Sequence, residues 1–145
     1  MAYQYLDNHW TIGSMARTCG VDRGAYRYPM LVGTDNVLYD HEFDYGYGGA
    51  TVYAESGPVQ LGNGDNVMHA LRLIPDEGTT ADCAVQFKTR FYPNGTEYTT
   101  STYTLAAPTS VRFTGRQASM KVTGARNVDW RWGRPRLELT QGGSR

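Results

Sequence analysis

The alternation of apolar and polar residues predicts strands along most of the chain. Between residues 84 and 92, Val85, Phe87, Thr89 and Phe91 fall on one side and Gln86, Lys88 and Arg90 on the other. That is the period of two a pleated strand imposes, so Val85, Phe87 and Phe91 are expected in a core. Val111 and Phe113 open another strand, Gly115 marks an expected bulge, and Ala118, Met120 and Val122 resume the alternation. Val128, Trp130 and Trp132 share one face, Asp129 and Arg131 take the other, and Leu137 and Leu139 close the series. The run from Val67 to Ile74 is apolar-rich and stops at Pro75-Asp76. Its Val67, Met68, Leu71 and Ile74 would also fit a helix, but its short length between turn signals favours a strand.

Turn residues divide the strands. Asp7-Asn8 separates Tyr3 and Tyr5 from Trp10-Thr11-Ile12-Gly13, and Gly33-Thr34-Asp35-Asn36 separates Met30-Leu31-Val32 from Val37-Leu38-Tyr39. Both read as hairpins, with an irregular stretch between them. Thr51 to Ala54 reads as a short strand and Gly62-Asn63-Gly64-Asp65 as a turn. Pro93-Asn94-Gly95-Thr96 is the strongest hairpin signal, since Asn and Gly tolerate the positive φ of tight hairpin turns, and Glu97 to Leu105 is the expected return strand. Asn94-Gly95-Thr96 also fits a glycosylation sequon, although the turn accounts for it fully. Tyr45-Gly46-Tyr47-Gly48-Gly49 breaks the pattern and reads as a linker.

The expected fold is therefore all-β. Residues 1–44 form a blade-like β-hairpin segment, one four-stranded sheet's worth, which cannot bury both faces alone. Residues 45–145 form an antiparallel β-sandwich of six or seven strands, jelly-roll-like. Composition agrees: 17 Gly, 6 Pro and 11 Tyr suit pleated surfaces joined by tight turns, and only 19% charged residues among 40% hydrophobic ones exclude disorder and coiled coil. A length of 145 residues suits one core, or one core with an appendage.

Charge changes the picture by its distribution. The 14 basic and 14 acidic residues cancel, which argues against a dedicated nucleic-acid binder. From Asp35 to Asp82, however, nine acids, Asp40, Glu42 and Asp44 among them, face Arg72 alone. From Val111 onward eight cations, including Arg116, Arg131, Arg134 and Arg136, face two acids. Twelve of the 14 cations are arginine, the residue suited to bidentate pairing with carboxylate or phosphate. Two arrangements satisfy this pattern: the halves face each other within one fold, or the acidic face of one subunit meets the basic face of the next. In Trp130-Arg131-Trp132 with Arg134 and Arg136, two indoles on one face would be core. The arginine row on the other would be either solvated or an assembly surface.

Chemistry-bearing motifs are sparse. Gly13-Ser14-Met15 and Glu55-Ser56-Gly57 lack nucleophile-elbow glycines, and neither a P-loop nor a dinucleotide fingerprint is present. Asp40, Glu42 and Asp44 share a strand face and could hold a hard cation. The calcium-loop pattern fails because Tyr45 takes the glycine position and Thr51 that of the final acid, which favours a plain acidic surface. As glycosidase carboxylates the same acids lack a visible cleft. His9, His41 and His69 occur singly, and read as polar or packing residues. Cys19 and Cys83 lack metal-ligand spacing and are expected as two buried free thiols. No apolar stretch is long enough to span a bilayer, and the N-terminus lacks the regions of a signal peptide, so a soluble, unexported chain is expected that folds without a membrane. No enzyme activity, cofactor or metal is expected.

The stretch Phe113-Thr114-Gly115-Arg116-Gln117, followed by Asp129-Trp130-Arg131-Trp132-Gly133-Arg134-Pro135-Arg136-Leu137 and Gly142-Gly143-Ser144-Arg145, resembles the C-terminal end of tail-hub proteins of short-tailed bacteriophages. These are the propeller-bearing nozzle or packaged-DNA stabilisation proteins that close the tail tube. Trp10-Thr11-Ile12-Gly13, Arg17-Thr18, Leu38-Tyr39-Asp40-His41-Glu42, Ser56-Gly57-Pro58, Gly62-Asn63-Gly64-Asp65 and Ile74-Pro75-Asp76 are similar to that family in the same order. Members are several times longer and carry complete propellers, so the resemblance implies a truncated, split or domain-only version. It further implies a virion structural protein, assembled in the host bacterial cytoplasm as a homo-oligomeric ring. Its neighbours would be other tail, adaptor or portal proteins, and any contact with channel DNA would be sequence-independent. A carbohydrate-binding tail adhesin, with sugars stacked on exposed aromatics, is the first alternative, and a cell-wall hydrolase the second.

Overall fold

The computed structural model describes the chain except residues 1, 7, 12–13, 45–50, 61–63, 76–82, 125–131 and 145, and describes residues 2–4, 9–11 and 144 by backbone alone. No helix occurs among the described residues, so none is long and apolar enough to cross a membrane. The chain divides into two compact units, Met1–Asp44 and Tyr45–Arg145.

The second unit is an antiparallel β-sandwich. One sheet has the order β12 (Thr109–Gly115), β8 (Asn66–Ile74), β14 (Arg136–Ser144). In the other, β9 (Cys83–Arg90) pairs along its length with β13 (Gln117–Gly124). The outer positions of that sheet are interrupted strands. β10 (Tyr98–Thr99) and β11 (Tyr103–Thr104) both pair with β9, and β6 (Tyr53–Glu55) and β7 (Val59–Gln60) both pair with β13. The expected return strand Glu97 to Leu105 is thus broken into β10 and β11. Thr100 lies between them, its N–H donating to the Phe87 carbonyl and its hydroxyl accepting from the Phe87 N–H.

Alternation selects the core. Cys83, Val85, Phe87 and Thr89 of β9 are buried, Val111 and Phe113 of β12 face them, and Met68, Ala70, Leu73, Leu105, Ala118 and Val122 complete the interior. The Phe87 and Phe113 rings meet across the two sheets at 4.5 Å. Each large side chain buried here contributes about 1.5–3 kcal/mol relative to exposure. Met120, Trp132, Leu137 and Leu139 pack against this cluster half-buried. The buried Thr109 hydroxyl accepts from the Ala106 N–H at 2.7 Å and donates to its carbonyl at 2.8 Å, so burial costs it no partner.

Several expectations are corrected. Phe91, expected in the core, is 39% exposed, because β9 ends at Arg90 and the loop leaves the sheet before the next inward position. Gly115 marks a corner and not a bulge. Gly115 pairs with Met68 in one sheet and Gln117 with Arg90 in the other, so the chain crosses between sheets over Arg116 alone. A Cβ on Gly115 would lie 3.0 Å from Thr89 Cβ and 3.2 Å from the Gln117 carbonyl, which is why glycine stands there. The bulge falls earlier in β12: Ser110 faces Arg72 and Phe113 faces Ala70, leaving Val111 and Arg112 opposite Leu71. Leu71 is itself an extra residue relative to β14, so β8 turns Met68, Ala70 and then Leu73 inward. Around Pro93 the turn is closed by the Gly95 N–H donating to the Tyr92 carbonyl at 2.9 Å. Among the described glycines only Gly64 has positive φ, so Gly95 is not held by that requirement. Pro93 after Tyr92 and Gly95 three residues on instead match an ordinary type I turn.

The first unit contains a hairpin, β1 (Ala2–Gln4) with β2 (His9–Thr11), and a separate three-stranded meander, β3 (Arg17–Val21), β4 (Met30–Gly33), β5 (Leu38–Asp40). Its strands thus lie in two sheets, whereas a blade is one sheet of four. β3 falls where the sequence reads as irregular. The turn between β4 and β5 places Asn36 at φ 62° and is closed by Gly33 N–H to Val37 carbonyl at 2.8 Å and Asn36 N–H to Gly33 carbonyl at 3.1 Å. The expected linker at Tyr45–Gly49 lies outside the described residues.

Candidate functional site

Residues expected at an interface fall in both units. Asp40, Glu42 and Asp44 are exposed at the end of the first unit, and the Glu42 carboxylate forms an ion pair with Arg23. In the second unit Arg134 and Arg136 are exposed and Arg116 is half-buried at the sheet corner. Arg131 and Trp130 lie outside the described residues, as does the expected strand through Val128. Trp132, expected to be core, is half-buried against the core cluster, ahead of β14. Among the described residues no three His, Cys, Asp or Glu side chains group closely enough to hold a metal ion. Neither cysteine is in a disulfide; Cys83 is buried as expected, whereas Cys19 of β3 is exposed.

Charge pairing inside the sandwich is cross-strand. Arg72, the one cation of the acidic stretch, meets Glu138 of the basic stretch at 2.5 Å from directly opposite positions on β8 and β14. Lys88 meets Glu55 at 2.6 Å; this holds the Glu55 carboxyl below its ordinary range and the Lys88 ammonium above its own. Neither pair joins the acidic surplus to the basic one: Arg72–Glu138 links the lone cation of the acidic stretch to an acid of the basic stretch, and Lys88 belongs to neither stretch.

The first unit is organised differently. Among its described residues Gly33 alone is buried. Leu6, Met15, Val21, Tyr26, Leu38 and Phe43 are all more than half exposed. What holds the meander is a surface network. The Arg17 guanidinium lies 4.3 Å over the Tyr39 ring and its Nε–H donates to His41 Nε2 at 3.0 Å. The Tyr39 hydroxyl donates to Asp35 at 2.5 Å, pulling that carboxyl below its ordinary value and raising the phenol. Tyr28 and Phe43 meet edge to face at 5.2 Å.

A groove of about 670 Å³ opens at one end of the sandwich. Register brings four segments there: the start of β8, the β9–β10 loop, the corner after β12 and the end of β14. Phe91, Tyr92 and Tyr98 line it, with Arg116, His69 and Gly143 around them. The Arg116 guanidinium stands 5.7 Å over the Tyr92 ring, and the Arg116 N–H donates to the Arg90 carbonyl at 3.0 Å. His69 Nδ1 and the Thr114 hydroxyl share a hydrogen bond of 3.1 Å. The sequence reading missed this site because it assigned Phe91 to the core and His69 to packing. The one local signal was three aromatics, Phe91, Tyr92 and Tyr98, around a turn. No protein-family model matches the chain, and no curated protein matches it.

Proposed function

We propose that the chain is a non-enzymatic structural subunit of a bacteriophage tail, at the hub or nozzle or at the head-tail neck, that seals or extends the DNA conduit through subunit contacts. One observation carries this reading: the Met1–Asp44 unit has strands and exposed apolar side chains but no buried interior among its described residues. A unit of that size whose described residues form no core, disulfide or metal cluster gains from a covering surface. The resemblance to tail-hub proteins supplies the setting, a homo-oligomeric ring bounded by other tail, adaptor or portal proteins in the virion and built in the host bacterial cytoplasm.

Charge gives the ring a direction. The first unit carries six acids against three arginines, and the second eleven cations against eight acids. A heterologous contact in which Asp40, Glu42 and Asp44 of one copy meet Arg131, Arg134 and Arg136 of the next closes when the rotation is right. Sedimentation of the purified chain over a wide concentration range tests this: closed oligomers are expected, and Arg134→Ala with Arg136→Ala should return them to monomer without altering sandwich melting. A monomer at every concentration contradicts the reading. If the double variant assembles normally but binds duplex DNA more weakly with a shallower salt slope, the row is a phosphate contact.

A further inference from the structure

We infer that the groove at the end of the sandwich is a binding site for a pyranose-containing glycan. The inference goes beyond the assembly reading and does not rest on it, because every lining residue belongs to the sandwich unit. A pyranose ring has an apolar face of C–H groups and an equator of hydroxyls. A complementary site offers open aromatic faces with hydrogen-bonding groups at their edges. Tyr92 and Tyr98 are 57% and 60% exposed and Phe91 39%, so three rings present apolar area to the groove. Their edges carry the two phenol hydroxyls, and the Thr96 hydroxyl, the His69 imidazole and the Arg116 guanidinium add donors and acceptors.

The site is held in place before any ligand arrives. The Gly95 N–H to Tyr92 carbonyl bond fixes the turn that carries the rings, and the Arg116 guanidinium stands over one of them. On the opposite wall β14 is irregular against β8 between Gln141 and Ser144. There Gly142 makes room for His69, since a Cβ at that position would lie 2.5 Å from Nε2. Gly143 has nothing within 4 Å of where a Cβ would stand, so that wall is open backbone. Single-stranded nucleic acid also stacks on aromatics, but it needs a track of cations along its phosphates, and among the described residues Arg116 is the one arginine or lysine of this lining. No carboxylate lines the groove among the described residues, so it carries stacking and hydrogen-bonding groups without the acid pair that glycoside cleavage uses.

The test uses the whole chain on a printed array of bacterial surface polysaccharides and defined pyranose oligosaccharides, followed by calorimetric titration of each hit. Binding is expected to at least one pyranose glycan. Tyr92→Ala and Tyr98→Ala should each weaken it by about three- to tenfold, the effect of losing one stacked ring. Gly143→Val should abolish it, because the added side chain enters open groove space without touching the fold, and an unchanged melting curve verifies that. Three results overturn the inference: no glycan bound with a Kd tighter than about 1 mM, glycan binding unchanged in all three folded variants, or tighter binding of a labelled oligo-dT lost in the same variants.

Discussion

The sandwich and the Met1–Asp44 unit are both antiparallel strands joined by tight turns, yet among the described residues only the sandwich has an inside. In β9 every second residue meets a facing sheet, and Phe87 and Phe113 close the gap between layers. In β3, β4 and β5 the same kind of backbone pairing leaves Val21 and Leu38 in solvent, and side chains hold one another along the surface through Arg17, Tyr39, Asp35 and His41. Hydrogen-bonded ladders form in both, so the ladder is not what separates them. Burial is: apolar area removed from water stabilises the sandwich within one chain, whereas the described apolar side chains of the first unit stay exposed.

This contrast can be broken most forcefully at Phe87. Phe87→Ala removes a fully buried ring and should cost about 3–5 kcal/mol in denaturant unfolding of the sandwich, whereas Leu38→Ala should change it by less than about 0.5 kcal/mol. Gly115→Val comes next. Its side chain has no space at the sheet corner, and about 1–3 kcal/mol should be lost to overpacking. Gly95→Val, at a type I turn position without positive φ, should cost clearly less in the same assay, and equal losses would show that the corner is not specially tight.

The smallest effects are electrostatic, and they sharpen the comparison by their sign. The Asp35 carboxyl is depressed by the Tyr39 hydroxyl, so it stabilises the folded turn above the ordinary aspartate value of 3.8 and loses that contribution as pH falls through its lower folded value. Glu55 behaves likewise below 4.5, while the raised Lys88 keeps its contribution up to 10.5 and loses it as pH rises through its higher folded value. Acid should therefore loosen the β4–β5 turn while the sandwich core stays folded. Tyr39 proton NMR monitored alongside Phe87 should show the turn changing first, and Asp35→Asn should remove that acid step.

Much of the sandwich was legible because period two is a local property. Val85, Phe87, Phe113 and Val122 all turned inward where alternation placed them. Expectations failed where a partner strand decides. The inward phase of β8 shifts at Leu71 because both neighbours run out of register there. β3 has no apolar alternation, its Arg17-Thr18-Cys19-Gly20-Val21 becoming a strand by pairing with β4. Phe91 continued the alternation one step past the end of its strand. The groove was hidden for a related reason, since His69, Tyr92, Arg116 and Gly143 come from four segments that only the register of both sheets assembles.

Hydrogen exchange followed by mass spectrometry, on the purified chain across a dilution series, addresses the difference between the two units most directly. Amides of β8, β9 and β13 should be protected at every concentration. Those of β3, β4 and β5 should exchange almost freely in the dilute monomer and gain protection as oligomers form. Protection of the meander equal to that of the sandwich in the most dilute monomer would contradict the account, because the first unit would then be stable without a covering partner.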